Sequence, residues 1–442
     1  MQKTSLGAPF TGEIVEPGHP GYDQARVVWN GIWDRRPALI VRPLSVDDVV
    51  VAIRHARDRD LVVAVRGGGH SVAGFSTCDG GMVIDLSRMR GVSIDPTRRR
   101  AVVAGGAHLS QLDAAAQEHG LVCPVGVVGH TGVAGLTLGG GMGRLMRKYG
   151  LTVDNVVSVE LVTADGRVVR ASEDENPDLF WGVRGAGPNF GVVTSFEFRL
   201  HPMDGTIFGG AVAFPIERSL QVAHRVREFL AERHDVQGWV GFAKDAELGR
   251  PVIAVTAAYA NVDGAEDDSR GLREGSPLID TFARKSYLAL QAMNDEVMGW
   301  GKRFYSKSGF LPELSDGVIE QCAAIAETAP PNAELSMWAH GGEVARVSDE
   351  AMAYTGRTAE FSASAECFWT DPAQDDVMMA WGRDAIDRLR PFMSVGQYVN
   401  EVVEADTPGA QIYGKAKYER LVTLKRKYDP DNFFQLNQNI KP

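Results

Sequence analysis

Two stretches of glycine constrain this chain more than any other feature. The first, Arg66-Gly67-Gly68-Gly69-His70-Ser71, ends a β-branched run, Leu61 to Val65, that reads as a buried strand. The second, from Gly126 to Gly150, is GVVGHTGVAGLTLGGGMGRLMRKYG. Glycine adopts conformations and close approaches that other residues resist. Three in succession at a strand exit let several N–H groups point at one anion. The chain carries 49 glycines in 442 residues, about 11% against a typical ~7%. The clustering predicts a loop wrapped around a large, flat, phosphorylated cofactor; the competing reading is a crossing of loops packed on glycine.

Around these loops the first half alternates short strands and helices. Ala38 to Val41, Met82 to Leu86, Ala101 to Ala104, Val156 to Thr163 and Val192 to Phe198 read as strands. Ser45, with Asp48 three residues on, caps a helix reaching Arg57, and Leu109 to His119 is helical with Gly120 at its C-terminus. From about Thr206 strands such as Pro251 to Tyr259 and Glu334 to His340 mix with amphipathic helices, one near Glu217 to Glu232. This pattern predicts an antiparallel sheet covered by helices. A basic helix is expected from Tyr413 to Lys427, ended by Asp429-Pro430-Asp431. The divisions expected are 1–203 (core about 33–203), 204–395 and 396–442.

Composition narrows the partners. A net charge of −11 argues against nucleic acid, because phosphate binding needs positive patches. No apolar run approaches the ~18–20 residues of a membrane span. The N-terminal stretch lacks a basic segment followed by an apolar one, and Cys78, Cys123, Cys322 and Cys367 form no C-x-x-C pair. These point to a reducing, cytoplasmic setting without a metal site. Oligomeric state is not written in the chain.

Three near-matches to known motifs fail on spacing or residue type. GHSVAG has one residue too many for a nucleophile elbow, GAQIYGKA has Ala416 where a P-loop needs Ser or Thr, and GAGPNFG is too long for the dinucleotide fingerprint.

RGGGHSVAG, the GVVGHTGVAGLTLGGGMG loop, KYGLTVDNVVSVELVTADG, NPDLFWGVRGAGPNFGVVTSFEF and the terminal YDPDNFFQLNQNI together resemble the berberine-bridge-enzyme-like flavoprotein oxidases, of the vanillyl-alcohol-oxidase superfamily. The resemblance covers nearly the whole chain after about residue 25 and is weak from about 206 to 395. It implies an α+β fold: a PCMH-type FAD-binding domain of two α+β subdomains, a substrate domain, and a last segment that returns to the FAD domain. It implies FAD joined covalently to His70. Arg66, Gly67, Gly68, Gly69, Ser71 and Val72 match the pyrophosphate loop, and Gly129, His130, Thr131, Gly132, Gly135, Gly139, Gly140, Gly141 and Gly143 match the second loop. Asn155, Gly187, Gly191 and Val193 match positions near the flavin or adenine, and Tyr398, Asn400, Asn437 and Asn439 match the returning segment. Many members attach flavin a second time through a cysteine; here that position is Val122 and Cys123 is one step off. Neighbouring extended residues point oppositely, so a single attachment is expected.

The base that activates substrate has to come from the second half. Phe361 to Phe368 alternates: Phe361, Ala363, Ala365 and Cys367 form an apolar face, and Ser362, Ser364, Glu366 and Phe368 a polar one. Ser336, Trp338 and His340 align in the same way. Glu366 on a sheet over the flavin, its pKa raised by burial, would suit proton abstraction; the alternative is that it faces solvent. Tyr305 and Tyr398 are further candidates, to bind or deprotonate substrate. The expected activity is oxidation of a small alcohol, amine or secondary metabolite such as a polyketide, by hydride transfer to FAD and then to O2. The alternatives are a flavin monooxygenase, a carbohydrate oxidase, or a flavin-binding protein without turnover.

Overall fold

The β-branched runs of the first half pair into two separate sheets. In the computed structural model, which describes residues 6, 10–245, 248–404 and 407–442, the first sheet has the order Glu13–Val15, Leu39–Arg42, Met82–Asp85, Val63–Arg66. Its last three strands are parallel and the first is antiparallel. The helix Val46–Asp58 crosses between Leu39–Arg42 and Val63–Arg66, and the Ser45 hydroxyl accepts the Asp48 N–H at 3.2 Å as its cap. The second sheet is antiparallel, in the order Val92–Asp95, Arg100–Ala104, Val192–Arg199, Val156–Val162, Val168–Ser172.

The second half builds one eight-stranded antiparallel sheet. Its order is Ile279–Asp280, Thr206–Pro215, Pro251–Tyr259, Val236–Lys244, Ala333–Ala339, Phe361–Trp369, Arg303–Leu311, with Ala283–Ser286 also on Thr206–Pro215. Helices Ser219–Glu232, Asp316–Glu327 and Asp375–Leu389 cover one face. Phe361, Ala363, Ala365 and Cys367 sit in that core, together with Ile319, Cys322, Ala385 and Leu389 of the helices. The alternation of this strand is therefore as expected, and its other face turns toward the first half.

The C-terminal helix runs Lys415–Tyr428, later than expected, because Gly414 at φ +76 separates it from a short helix Gly409–Tyr413. Leu421, Leu424 and Tyr428 share a core with Phe180, Trp181 and Phe196 of the first half. The strand expected to end at His340 ends at Ala339, and the His340 N–H bonds to the Glu360 carbonyl instead. Among the described residues no helix is long and apolar enough to cross a membrane. All four cysteines are free and buried.

Candidate active site

A cavity of about 170 Å³, open to solvent, lies where the first glycine turn meets the second loop and the C-terminal segment. Its walls include Gly67, Gly68, Gly69, His70 and Ser71, then Thr131, Gly132 and Gly135, then Asn400, Asn437 and Gln438. The turn and the second loop cross on glycine: a Cβ on Gly68 would run into the Gly132 backbone, and one on Gly132 into Gly68. None of the backbone amides of Gly68, Gly69, His70 and Ser71 donates to another group of the described protein. Arg66 is turned away, its guanidinium donating to the Ser76 and Ala25 carbonyls. The Val72 carbonyl accepts from Asn30 and Trp33, and the Ser71 hydroxyl accepts the Phe75 N–H.

His70 is held by a defined network. Its ring stacks on Trp29 with centroids 4.7 Å apart, and its Nε2 lies 2.6 Å from His130 Nδ1. His130 Nε2 lies 3.2 Å from the Asp295 carbonyl, which can only accept. His130 therefore carries its proton on Nε2, its Nδ1 accepts from His70 Nε2, and His70 Nδ1 keeps a lone pair, facing the Thr131 hydroxyl at 3.4 Å. Burial, with His130 and His108 adding to it, holds the His70 pKa well below the usual imidazole value. The Asp295 carboxylate takes the Gly129 N–H at 2.6 Å and fixes the start of the second loop.

The remaining loop glycines meet protein. A Cβ on Gly139 would strike the Asn400 amide, on Gly140 (φ +126) the Tyr354 ring, on Gly141 the Thr152 side chain, and on Gly143 the Val125 carbonyl. By contrast, a Cβ on Gly135 would meet nothing within 4 Å. The Asn155 amide donates to the Tyr149 and Leu151 carbonyls and its Oδ1 lies 2.6 Å from His201 Nε2, so it braces the loop rather than lining the cavity. Gly191 backs onto the Val162 carbonyl, Val193 lies in a core, and Gly187 (φ +70) opens toward Gln438. Asn437 and Asn439 each leave a buried side-chain oxygen without a partner among the described residues, and Asn437 lines the cavity. Cys123 is buried in the core of the second sheet, where apolar surroundings push its pKa well up.

The open face of the large sheet forms a roof. Glu366 stands directly opposite Ser306 on one neighbouring strand and Glu334 on the other. Directly opposite residues share a face. The Ser364 hydroxyl donates to Glu366 at 2.8 Å. Burial raises the Glu366 pKa; burial and the Glu366 charge push Glu334 up to about 7, and the same two causes take Glu401 to about 8. Phe304 and Phe368 adjoin this cluster, centroids 4.6 Å apart, and Phe304 reaches Trp29 beneath His70. Tyr398 is buried and its hydroxyl oxygen accepts from the Gly141 and Met142 amides and from Asn400. Tyr305 is a correction: strand alternation sets it opposite Cys367, on the helix-covered face, under Gly382 and bonded to Glu404 at 3.4 Å.

Residues 37–172 match the family model described as FAD binding domain, and residues 397–441 the one described as berberine and berberine like. An (R)-6-hydroxynicotine oxidase of Paenarthrobacter nicotinovorans is 33% identical over 471 residues, covering 99% of both chains. An FAD-linked oxidoreductase of Dictyostelium discoideum is 32% identical, covering 98% of this chain and 95% of its own. This chain belongs to the berberine-bridge-enzyme-like FAD-linked oxidoreductases. Its fold superposes on the crystal structure of 6-hydroxy-D-nicotine oxidase from Arthrobacter nicotinovorans with a TM-score of 0.89 at 30% identity, both chains covered completely.

The cavity of this FAD-linked oxidoreductase fits its cofactor on its own geometry. Its lining brings together the free amides of the first turn, an Asn437 oxygen without a partner among the described residues, and Gly135, where a Cβ would meet nothing within 4 Å. Four residues that shape the site carry no clear sequence signal. Trp29 and Asp295 come from irregular segments, so no periodicity marks them. Glu334 shares the alternation of Ser336 and Trp338, and Glu401 directly follows Asn400; those two positions were the available clues.

Proposed function

We propose that this flavoenzyme oxidises a small organic molecule held between the His70 cavity and the Glu366 roof, with FAD attached covalently to His70 and O2 as final acceptor. Bound in the cavity, FAD would accept a hydride from the substrate and pass the electrons to O2, giving hydrogen peroxide. The amides of Gly68 to Ser71 are suited to the diphosphate, as unpaired N–H groups at a glycine turn favour an anion. Neutral His70, with its lone pair on Nδ1, is the nucleophile for a single attachment; Cys123 is buried in a core and is not among the residues lining the cavity. Tyr398 and Asn400 hold the glycine loop against the roof.

The observation that supports this reading most directly is the half-buried Glu366 carboxyl, with a raised pKa, on the sheet face whose Phe304 reaches Trp29 and through it His70. It is placed to take a proton from a substrate O–H, N–H or C–H group. Two measurements test it. Acid-precipitated protein should give a yellow pellet and His70→Ala a white one with free flavin. With a panel of small alcohols and amines as reductants, Glu366→Gln should keep flavin attached and slow anaerobic flavin reduction by about 10²–10⁴-fold, while Tyr305→Phe reduces at the parent rate. Unchanged reduction in Glu366→Gln removes it from the mechanism.

A further inference from the structure

Among the described residues four arginines are buried: Arg66, Arg144, Arg147 and Arg357. Three of them place their terminal nitrogens on acceptors. Arg66 donates to the Ala25 and Arg26 carbonyls, Arg147 to those of His340, Leu230 and Arg233, and Arg357 pairs with Asp154. Arg144, which follows Gly143 at the end of the second loop, is the exception. It is 2% exposed, and neither terminal nitrogen has a hydrogen-bond partner among the described residues. Burial lowers its pKa to about 10, so it stays charged at neutral pH, and the Tyr287 phenol is the only titratable group acting on it among those residues. A buried guanidinium is costly unless an acceptor pairs with it.

An independent feature lies against this group. The centroid of the Trp239 ring is 5.6 Å from the guanidinium carbon, and that ring stacks on Trp338, centroids 4.7 Å apart and 20° from parallel. Such a contact attracts the cation but leaves its N–H groups without acceptors. Trp239 stands directly opposite Trp338, and Trp338 opposite Ser362, so both rings are on the polar face of the large sheet. Both are only half-buried. Two stacked indoles thus form a flat apolar shelf beside a lone cation. Arg144 is not among the residues that line the His70 cavity. Along its strand, Ser362 is four residues from Glu366, about 13 Å.

We propose that Arg144 recognises the carboxylate of a flat aromatic acid, whose rings lie on the Trp239–Trp338 shelf. This rests on the flavoenzyme reading and adds the substrate class. The carboxylate supplies the anion that the protein omits, and its two oxygens match the guanidinium fork. The substrate is extended, with its acid at the shelf and its reacting carbon toward Glu366. A neutral molecule of the same shape leaves the guanidinium unpaired, so the site reads charge as well as shape.

Binding by the flavin-loaded protein is measured by calorimetry with two isosteric probes that carry no alcohol or amine: trans-cinnamate, an anion at pH 7.5, and trans-cinnamamide, which is neutral. The carboxylate is expected to bind at least tenfold more tightly. In Arg144→Gln the preference should fall below threefold with flavin content unchanged. Thermal melting separates recognition from a structural role: without ligand, Arg144→Met should melt no lower than the parent, because it removes an unpaired buried charge. Equal affinity for the probes, binding of neither at 5 mM, a preference that survives in Arg144→Gln, or an Arg144→Met protein that melts below the parent overturns the proposal. Loss of flavin from Arg144→Gln alone would assign the guanidinium to the cofactor and overturn it too. Failure of the parent protein to retain FAD would instead overturn the flavoenzyme reading, and the probe comparison on the folded apoprotein would still decide this one.

Discussion

Lys425 and Asp429 give the sharpest test of how the C-terminal segment closes the cavity. Both side chains are 0% exposed and 2.7 Å apart. Lys425 also donates to the Asn189 and Phe434 carbonyls, at 2.8 and 2.9 Å. Asp429 accepts the amides of Phe433 and Phe434. One ammonium therefore ties the loop before Val192–Arg199 to the segment that carries Phe434, Leu436 and Asn437 into the cavity wall. Lys425→Met leaves a buried carboxylate with no cation and two carbonyls without their donor. Breaking a buried pair from one side costs roughly 3–5 kcal/mol. At a urea slope of roughly 3 kcal/mol/M, that lowers the unfolding midpoint by about 1 M or more. The assay follows far-UV circular dichroism and flavin fluorescence together through a urea titration. Fluorescence should rise at lower urea than in the parent, because the wall next to the pair loosens first. Lys425→Met/Asp429→Asn removes both charges and should cost less than the single substitution. A single-variant cost under about 1 kcal/mol, or a double variant worse than the single, would refute this account of the closure.

Two further predictions concern the loop and the interior. Gly140→Ala forces a side chain into the Tyr354 ring at φ +126 and should cost about 1–3 kcal/mol. Gly135→Ala, where a Cβ meets nothing, should leave the apoprotein's melting temperature unchanged while lowering the fraction of protein that acquires FAD; thermal melting and flavin content separate the two. Asp113 is buried against Tyr287 and Gln291, and burial pushes its pKa up to about 7. In the folded protein it thus keeps a proton that the unfolded chain loses near pH 4, so its contribution to stability falls as pH rises from about 4 to about 7. Asp113→Asn should flatten that part of the stability–pH profile and raise stability at pH 8, read from urea midpoints across the pH range.

Much of the roof was legible because a strand has a period of two. The pattern Phe361 to Phe368 specified which residues face the helices, and the register opposite Arg303–Leu311 then sets Tyr305 beneath the sheet and Ser306 above it. The aromatic at Tyr305 gave no hint of its face, since its own strand, Arg303–Leu311, was not anticipated. The glycine turn was legible because it follows a buried strand. Arg66, matched to that loop by resemblance, turns its guanidinium away and spends its donors on Ser76 and Ala25.

The second loop shows why glycine alone cannot name its neighbour. Gly132 and Gly135 border the cavity, whereas Gly139, Gly140, Gly141 and Gly143 make room for Asn400, Tyr354, Thr152 and Val125. Cavity wall and glycine-packed crossing therefore lie within a few residues of each other. The two uses are mechanically linked. Tyr398 and Asn400 can reach the loop only because glycines 139 to 141 present backbone there, and through that contact the segment bearing Glu401 is brought under Glu366. The crossing places the third carboxyl in the roof, so a substitution that disturbs Gly139 or Gly140 should alter substrate binding as well as cofactor retention.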